Sequence, residues 1–345
     1  MNRRRFLTQI RSGLVLSATA WAASPLIAEA RDKDERPVAL LVPLTGPRAG
    51  LGLTMQRAAM LAQNDIAPMV LDTGGTPRGA ASAAQEAVKR KAALILGPLL
   101  SGDVAAVARV AGDVPVISFT NDPEARASGA YVFGITPGQV TSAILTYARS
   151  RGVRSVAVIS DGSPWAKASA AAALAMQGQL AMEARVLEVV PGGPLPMAGD
   201  APDGVLVPGT SDTALAVARN LKDTGIQLLG TLEALDHRPQ AMEVLDGAWI
   251  ASLDPDAFGS FARSYQARNG GDPGAIAALA YDAAGFASQL RADDMLSRAG
   301  VLRDEGYAGA TGRVRFRTDG SVSREFAILL AGPGGYRKVA ASRGA

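Results

Sequence analysis

The chain has 345 residues, of which 48% are hydrophobic, and this is enough to fill the cores of two medium-sized domains. The formal net charge is +3, and four arginines and one glutamate within residues 1–30 account for all of it. The rest of the chain is neutral, so its charge gives no reason to expect binding to nucleic acid or to an anionic membrane. The sequence contains no cysteine, which excludes disulfides, thiolate catalysis and lipid attachment through cysteine.

The first thirty residues have the pattern of an export signal. Arg3-Arg4-Arg5-Phe6-Leu7 resembles a twin-arginine motif, an apolar stretch covers residues 13–27, and Ala28-Glu29-Ala30 has the small residues that signal peptidase accepts. We therefore predict a twin-arginine-type signal peptide over residues 1–30, cleavage after Ala30 and a periplasmic location. A retained membrane anchor is the alternative, and the short, alanine-rich apolar run disfavours it.

After the leader, short apolar runs alternate with amphipathic segments. Continuous apolar runs are typical of strands that are buried on both faces of a parallel sheet, and apolar residues at helical spacing indicate the helices between them. The pattern predicts strands over 38–43, 69–72, 93–96 and 114–118, and helices over 53–64, 80–90 and 101–111, with Ser101 as the cap of the last one.

The same pattern restarts after Gly138, so we predict a second lobe with its own parallel sheet. The last hundred residues add two helices and then change to alternating strands. The predicted elements are helices over 138–150, 165–179, 255–269 and 275–292, a helix that carries Ala214, Val217, Ala218 and Leu221, and strands over 155–160, 184–190, 205–207, 312–316, 326–330 and 336–339.

Several segments along the chain, in the right order, resemble the leucine-binding type of periplasmic receptor. Two of them, the GPLLSG loop at 97–102 and the TGRVRF segment at 311–316 with the later Arg324-Glu325-Phe326, also resemble the penicillin-binding protein activator branch of that superfamily. The segments are Val42–Pro47, Leu96–Gly102, Pro115–Asn121, Tyr131–Pro137, Tyr281–Ala283 and Gly309–Phe316.

The resemblance implies the type I periplasmic binding protein fold, which has two Rossmann-like lobes joined by three crossing strands. The N-terminal lobe would contain residues 31–136 and 252–317, and the C-terminal lobe residues 137–251 and 318–345. The implied function is capture of an amino-acid-like ligand by closure of the lobes, for an ABC permease. The alternative is a regulator whose partner is a peptidoglycan synthase, although the lack of a lipid-anchoring cysteine weakens it.

In open parallel sheets, ligands bind beyond the carboxyl ends of the strands, where helix N-termini offer free N–H groups to a carboxylate. Ser101 and Gly102 follow one predicted strand, and Ser118 and Thr120 end the next one. We predict that these four residues bind ligand. Ser101 can instead serve only as a helix cap.

The second lobe supplies the remaining candidates. By the resemblance, Glu233 matches the acid that binds the ligand's ammonium group, with Asp236 as its rival, and Trp165 after Asp161 matches an aromatic side chain that covers the ligand. Thr210 begins another helix, where capping and ligand binding are both open. We include Asp161, Trp165, Thr210 and Glu233 in the predicted ligand site.

The sequence disfavours an enzyme. His237 is the only histidine, so a histidine-rich metal site or a Cys–His pair cannot be built, and no GxSxG or phosphate-loop motif is present. A pair of carboxylates could still support general acid–base chemistry. We predict a non-enzymatic protein without metal or cofactor, and a monomer because no heptad run or long exposed apolar stripe is evident.

Overall fold

The computed structural model describes residues 34–62, 66–190, 195–196 and 199–344. The predicted signal peptide and its cleavage after Ala30 lie outside the described residues. Within the described ranges, no helix is both long enough and apolar enough to cross a membrane.

The first part of the chain forms a five-stranded parallel sheet, as the alternating pattern predicts. Its strand order is β2-β1-β3-β4-β5. The helices α1, α2 and α3 connect the first four strands in chain order. The elements are β1 (Val38–Val42), α1 (Ala49–Leu61), β2 (Met69–Asp72), α2 (Pro77–Lys89), β3 (Leu94–Leu96), α3 (Ser101–Ala111), β4 (Val116–Ser118) and β5 (Tyr131–Val132).

The second set of elements builds a second sheet with parallel strands at its centre. The sequence patterns did not identify β9 and β10, which complete this centre. The elements are α4 (Pro137–Ser150), β6 (Ser155–Ser160), α5 (Pro164–Ala175), α6 (Gln177–Leu180), β7 (Glu183–Glu188), β8 (Gly204–Val207), α7 (Ser211–Leu221), β9 (Gln227–Gly230), α8 (Pro239–Val244) and β10 (Trp249–Ser252).

The last part of the chain contributes to both regions. The strands β14 and β15 join the second sheet as antiparallel edge strands, in the order β15-β14-β10-β9-β8-β6-β7, while β11, β12 and β13 form a small antiparallel sheet. The elements are α9 (Pro255–Asn269), α10 (Gly274–Ala292), α11 (Arg298–Val301), β11 (Tyr307–Gly309), β12 (Gly312–Phe316), β13 (Val322–Arg324), β14 (Ala327–Gly332) and β15 (Gly335–Ala341).

The small sheet bears on the predicted division into lobes. Strand β12 lies before the predicted boundary at 317/318 and β13 lies after it, yet the two pair directly, with Phe316 opposite Val322. The chain therefore reaches the second sheet only at β14. The division into lobes itself stays a prediction.

Three predicted details differ from the structure. Ser101 is the first residue of α3 and not its cap, because Leu100 holds the extended capping position. Helix α1 begins at Ala49, four residues earlier than predicted, and includes Gly52, which packs so closely that an added Cβ would lie 1.9 Å from the Pro43 carbonyl oxygen. The predicted helix over 165–179 is divided at Met176 into α5 and α6.

One large core cluster connects the two main sheets. It contains Leu40 and Ile117 of the first sheet, Val158 and Leu206 of the second, and Phe133, which directly follows β5. Smaller clusters fill the outer faces, where α2 and α3 cover the first sheet and α7 and α8 cover the second. The hydrophobic effect thus stabilises both sheets and the region between them.

Candidate functional site

The carboxyl edge of the first sheet is organised by Asp72, which was not predicted as a site residue. Its carboxylate accepts hydrogen bonds from the Leu44 amide at 2.7 Å, the Gly74 amide at 2.8 Å and the Thr45 hydroxyl at 2.7 Å. Burial acts to raise the pKa of Asp72, but these hydrogen bonds outweigh it, so the pKa is lowered. The Asp72 carboxylate therefore joins the loops after β1 and β2.

Ser118 and Thr120 lie together at the end of β4, as predicted, and both are buried. The Ser118 hydroxyl donates to the Pro98 carbonyl at 3.2 Å and accepts from the Thr120 amide at 3.3 Å. The Thr120 hydroxyl accepts from the Asp122 amide at 3.2 Å. These contacts shape the two loops, so the hydroxyls have structural roles whether or not a ligand binds.

Ser101 and Gly102 occupy the exposed first turn of α3, where helix N–H groups lack intrahelical acceptors. The next residue, Asp103, is buried, and its Oδ2 has no hydrogen-bond partner among the described residues. Burial raises the pKa of Asp103, which favours the neutral form of this acid. The sequence patterns did not single out Asp103.

At the carboxyl edge of the second sheet, the chain after β6 turns through Asp161 into α5. The Asp161 carboxylate accepts from the Ser163 amide at 3.0 Å, and hydrogen bonds from the Ser163 side chain and backbone lower the pKa of Asp161. The Ser163 hydroxyl then caps α5 by accepting from the Ala166 amide at 3.2 Å. This turn fixes the start of the helix that carries Trp165.

Two polar atoms near this turn have no partner. Trp165 is half-buried against the large core cluster, and its indole Nε1 is buried without an acceptor among the described residues. The hydroxyl of Ser160, the last residue of β6, is likewise buried and unpartnered. A buried polar group without a partner costs free energy, so both atoms are candidates to bind a ligand or water.

The loops after β8 and β9 lie beside this turn. A Cβ added at Gly209 would lie 3.2 Å from the Asp161 carboxylate, so the loop that leads to Thr210 lies against Asp161. Thr210 is exposed at the capping position of α7, and its hydroxyl lies 3.4 Å from the Thr213 hydroxyl without capping a backbone amide. The buried Thr231 hydroxyl donates to the Pro208 carbonyl at 3.0 Å and thereby joins the two loops.

The two rival acids after β9 have different surroundings. Asp236 is buried and forms an ion pair with Arg238, whose Nη2 lies 2.5 Å from Oδ2, and the hydrogen bonds from Arg238 lower the pKa of Asp236. Glu233 lies exposed in the short 3-10 turn Leu232–Ala234, and no hydrogen bond or ion pair of the described residues includes its carboxylate. Of the two acids, Glu233 is therefore the one available to a ligand.

Comparisons with known proteins now give the family. Residues 36–331 match the family described as "Periplasmic binding protein". The chain belongs to this periplasmic binding protein family. No curated protein matches the sequence significantly.

Solved structures share the fold of this periplasmic binding protein at low identity. A putative branched-chain amino acid ABC transporter protein from Rhodospirillum rubrum is 21% identical with a TM-score of 0.77, over 88% of this chain and 100% of that one. The LpoA C-domain from Haemophilus influenzae, a regulator of PBP1A, is 17% identical with a TM-score of 0.72, over 88% and 100%. LivJ from Streptococcus pneumoniae, in complex with isoleucine, is 19% identical with a TM-score of 0.57, over 89% and 98%.

The periplasmic binding protein also contains a buried polar cluster that the sequence analysis did not predict. The Asp282 carboxylate accepts from the Ala310 and Thr311 amides, each at 2.7 Å, and from the Thr311 hydroxyl. Arg324 donates to the Thr311 hydroxyl and, at 2.6 Å, to the Phe133 carbonyl, and its guanidinium lies 4.9 Å from the Phe133 ring centroid. Burial lowers the pKa of Arg324 to about 10.

This cluster gives the family-like segments at 281–283, 309–316 and 324–326 a structural role. It joins α10, the small sheet and the segment after β5 that contains Phe133, and Arg324 and Asp282 are both fully buried. An added Cβ at Gly309 would lie 2.3 Å from the Asp282 carboxylate, so only glycine leaves room there. The signal in the sequence was an arginine two residues after Val322, on the same face of β13 as this apolar residue.

The structure thus brings the predicted residues of this periplasmic binding protein into two groups. Ser118 and Thr120 are in direct contact at the first sheet, and Asp161 lies beside the loop of Thr210 at the second. The hydrogen bonds of the described residues do not connect the two groups. A cavity of about 670 Å³ lies instead at the amino end of β9, near Lys222, Gln227 and Glu243. The described residues contain no His, Asp and Glu cluster suited to a metal ion.

Proposed function

We propose that this protein is an exported solute-binding protein that captures an amino acid or a related zwitterion between two lobes and delivers it to an ABC permease. It acts by binding, without a catalytic step. The observation that carries the proposal is the carboxylate of Glu233, which is exposed at the carboxyl edge of the second sheet and has no partner among the described residues. The nearby Asp236 is instead ion-paired with Arg238.

A zwitterion needs an anion for its ammonium group and hydrogen-bond donors for its carboxylate. Glu233 supplies the anion in this proposal. The first turn of α3 at Ser101 and Gly102 supplies donors for the ligand carboxylate. Trp165 supplies rigid apolar area and an unpartnered indole N–H.

The proposal is tested by thermal unfolding of the full chain with each of the twenty amino acids. A ligand present at 100 times its dissociation constant adds about 2.7 kcal/mol to the free energy of unfolding and raises the melting temperature. We expect at least one amino acid to do so, and we expect Glu233→Gln to abolish the rise.

The matched control is Glu243→Gln, because Glu243 is also exposed but lies near the cavity at the amino end of β9. It should leave the ligand-induced rise unchanged. Equal responses of the two variants would remove Glu233 from the site, and the absence of a response to every amino acid would contradict amino-acid capture.

The second candidate is a regulator that binds a peptidoglycan synthase. The observation that favours it is the apolar segment directly before α3. Leu99 packs on the core, and Leu100 occupies the N-cap position, where a hydroxyl residue could bind a polar ligand. Binding of a purified peptidoglycan synthase, measured by biolayer interferometry, together with no thermal response to amino acids, would support this candidate over capture.

A further inference from the structure

The small sheet has one apolar face and one strongly basic face. Val314 and Phe316 of β12 are buried, whereas Arg313 and Arg315 of the same strand and Arg317 directly after it are exposed. Side chains alternate between faces along a strand, so Arg313 and Arg315 lie on one face about 6.8 Å apart, and Arg317 lines the same cavity as they do. Arg343, near the end of the described chain, lies beside them, and we call the four residues the arginine face.

The arginine face borders a shallow cavity of about 250 Å³, which Glu305, Ser323 and Glu325 also line. Its four positive charges exceed the two negative charges of the glutamates. No ion pair of the described residues includes any of the four arginines, and the nearby Asp319 is paired with Arg126 at 3.0 Å. The face therefore has an excess of unneutralised positive charge, although the chain after residue 30 is neutral overall.

The pattern of charge indicates what kind of partner would fit. Guanidinium groups bind carboxylates through two parallel hydrogen bonds, and alternate residues of an extended peptide have the same spacing as the arginines of β12. A uniformly anionic membrane fits less well, because Glu305 and Glu325 interrupt the positive charge, whereas a peptide can place its carboxylates opposite the arginines alone.

We propose that the arginine face binds an extended acidic segment of a partner protein, with carboxylates at alternate positions. This interaction goes beyond solute capture, since it uses a different surface and needs no ligand at Glu233. It would give the protein a docking surface that is present with or without a bound solute.

The test uses the full chain and a fluorescein-labelled peptide of four Asp-Ser repeats, with fluorescence anisotropy as the readout. The control peptide has the same composition, with four aspartates followed by four serines. We expect tighter binding of the alternating peptide and weaker binding at higher salt. We also expect the triple variant Arg313→Gln, Arg315→Gln and Arg317→Gln to bind about tenfold more weakly.

The matched control is the triple variant Arg219→Gln, Arg263→Gln and Arg268→Gln, which removes three exposed helical arginines and changes the net charge equally. It should bind like the unmodified chain. If the first triple variant is unfolded by circular dichroism, the single variants Arg315→Gln and Arg343→Gln replace it, and each should weaken binding.

Three outcomes would overturn the proposal. They are equal losses in the two triple variants, equal affinity for the two peptides, and arginine-dependent binding to phosphatidylglycerol vesicles that exceeds binding to the alternating peptide. The first two would indicate unspecific attraction, and the third would indicate a membrane as the partner.

Discussion

Asp282 and Glu233 represent two opposite uses of a carboxylate in this protein. Asp282 is fully buried, accepts three hydrogen bonds and is connected through Thr311 to the buried Arg324. Glu233 is exposed in a short turn and has no partner among the described residues. The comparison shows that the carboxylate of Asp282 is engaged in hydrogen bonds at the centre of the fold, whereas that of Glu233, at the edge of the second sheet, has no partner among the described residues.

The comparison predicts that a charged group contributes more to the free energy of unfolding when it is buried and accepts or donates several hydrogen bonds. We therefore expect mutations at the Arg324–Asp282 cluster to have the largest effect on the free energy of unfolding, mutations of loop-joining residues to have an intermediate effect, and mutations of Glu233 to have the smallest. The following experiments test this order.

The largest effect should come from Arg324→Met, which removes the guanidinium that donates to the Thr311 hydroxyl and the Phe133 carbonyl and leaves the buried Asp282 without its nearby positive charge. Removal of one member of a buried charged pair costs about 3–5 kcal/mol. Arg315→Met, on the exposed face of the same sheet, is the matched control and should change stability by less than about 0.5 kcal/mol. Urea denaturation of the two variants measures the difference, and similar values would show that the Arg324 cluster is not a stabilising element.

Asp72→Ala should have an intermediate effect, a loss of about 1–2 kcal/mol, because the Leu44 and Gly74 amides lose an acceptor as they would at an uncapped helix end. The lowered pKa of Asp72 means that its contribution is present above the usual carboxyl pKa of 3.8 and is lost as the pH falls below that value.

The difference between the unmodified chain and Asp72→Ala should accordingly shrink as the pH is lowered from 6 toward 2.5, which urea denaturation at each pH can measure. Asp113, an exposed acid in the turn after α3, is the control, and Asp113→Ala should show no such trend. A pH-independent difference at position 72 would mean that its carboxylate charge is unimportant.

Tyr336→Phe should have a smaller effect. The Tyr336 hydroxyl accepts from the Asp236 amide at 2.9 Å and donates to the Asp236 carbonyl at 3.0 Å, so it holds the loop that follows Glu233 against β15. Its loss should reduce stability by about 0.5–1.5 kcal/mol and increase hydrogen exchange in residues 232–238. Unchanged exchange there would show that other contacts hold the loop.

The smallest effect on stability should come from Glu233→Gln, within about 0.5 kcal/mol, because the carboxylate has no partner to lose. Thermal unfolding without added ligand measures it. A loss of stability comparable to that of Asp72→Ala would show that the Glu233 carboxylate has a structural role and would contradict its contrast with Asp282.

The sequence predicted most of the first sheet because its strands are continuous apolar runs separated by helices at regular spacing. It failed at β9 and β10, where the runs Gln227–Gly230 and Trp249–Ser252 are short and mixed in polarity. Their pairing with β8 and β14 supplies the hydrogen bonds that make them strands. Local propensity is weak in such segments, so neighbouring strands decide the structure.

The candidate site was predicted unevenly for a similar reason. Residue type and position along the chain were enough to place Ser118 at the end of a strand and Asp161 after one, whereas Glu233 was proposed from the family resemblance. They could not indicate that the Ser118 hydroxyl is already engaged by Pro98, or that Asp236 is engaged by Arg238 while Glu233 is free. The Pro98 carbonyl belongs to another loop, and the conformation of the turn after β9 decides which of its two acids meets Arg238.

The amino-acid sequence alone determined the repeated α/β pattern and the neutral charge after residue 30, because periodicity and composition are local properties of the chain. The family was indicated by the resemblance of segments along the chain. Tertiary structure decided which polar groups form hydrogen bonds or ion pairs within the protein and which have no partner among the described residues. Arg324 illustrates the reason, since its guanidinium is stabilised by the Phe133 carbonyl, 191 residues earlier in the chain.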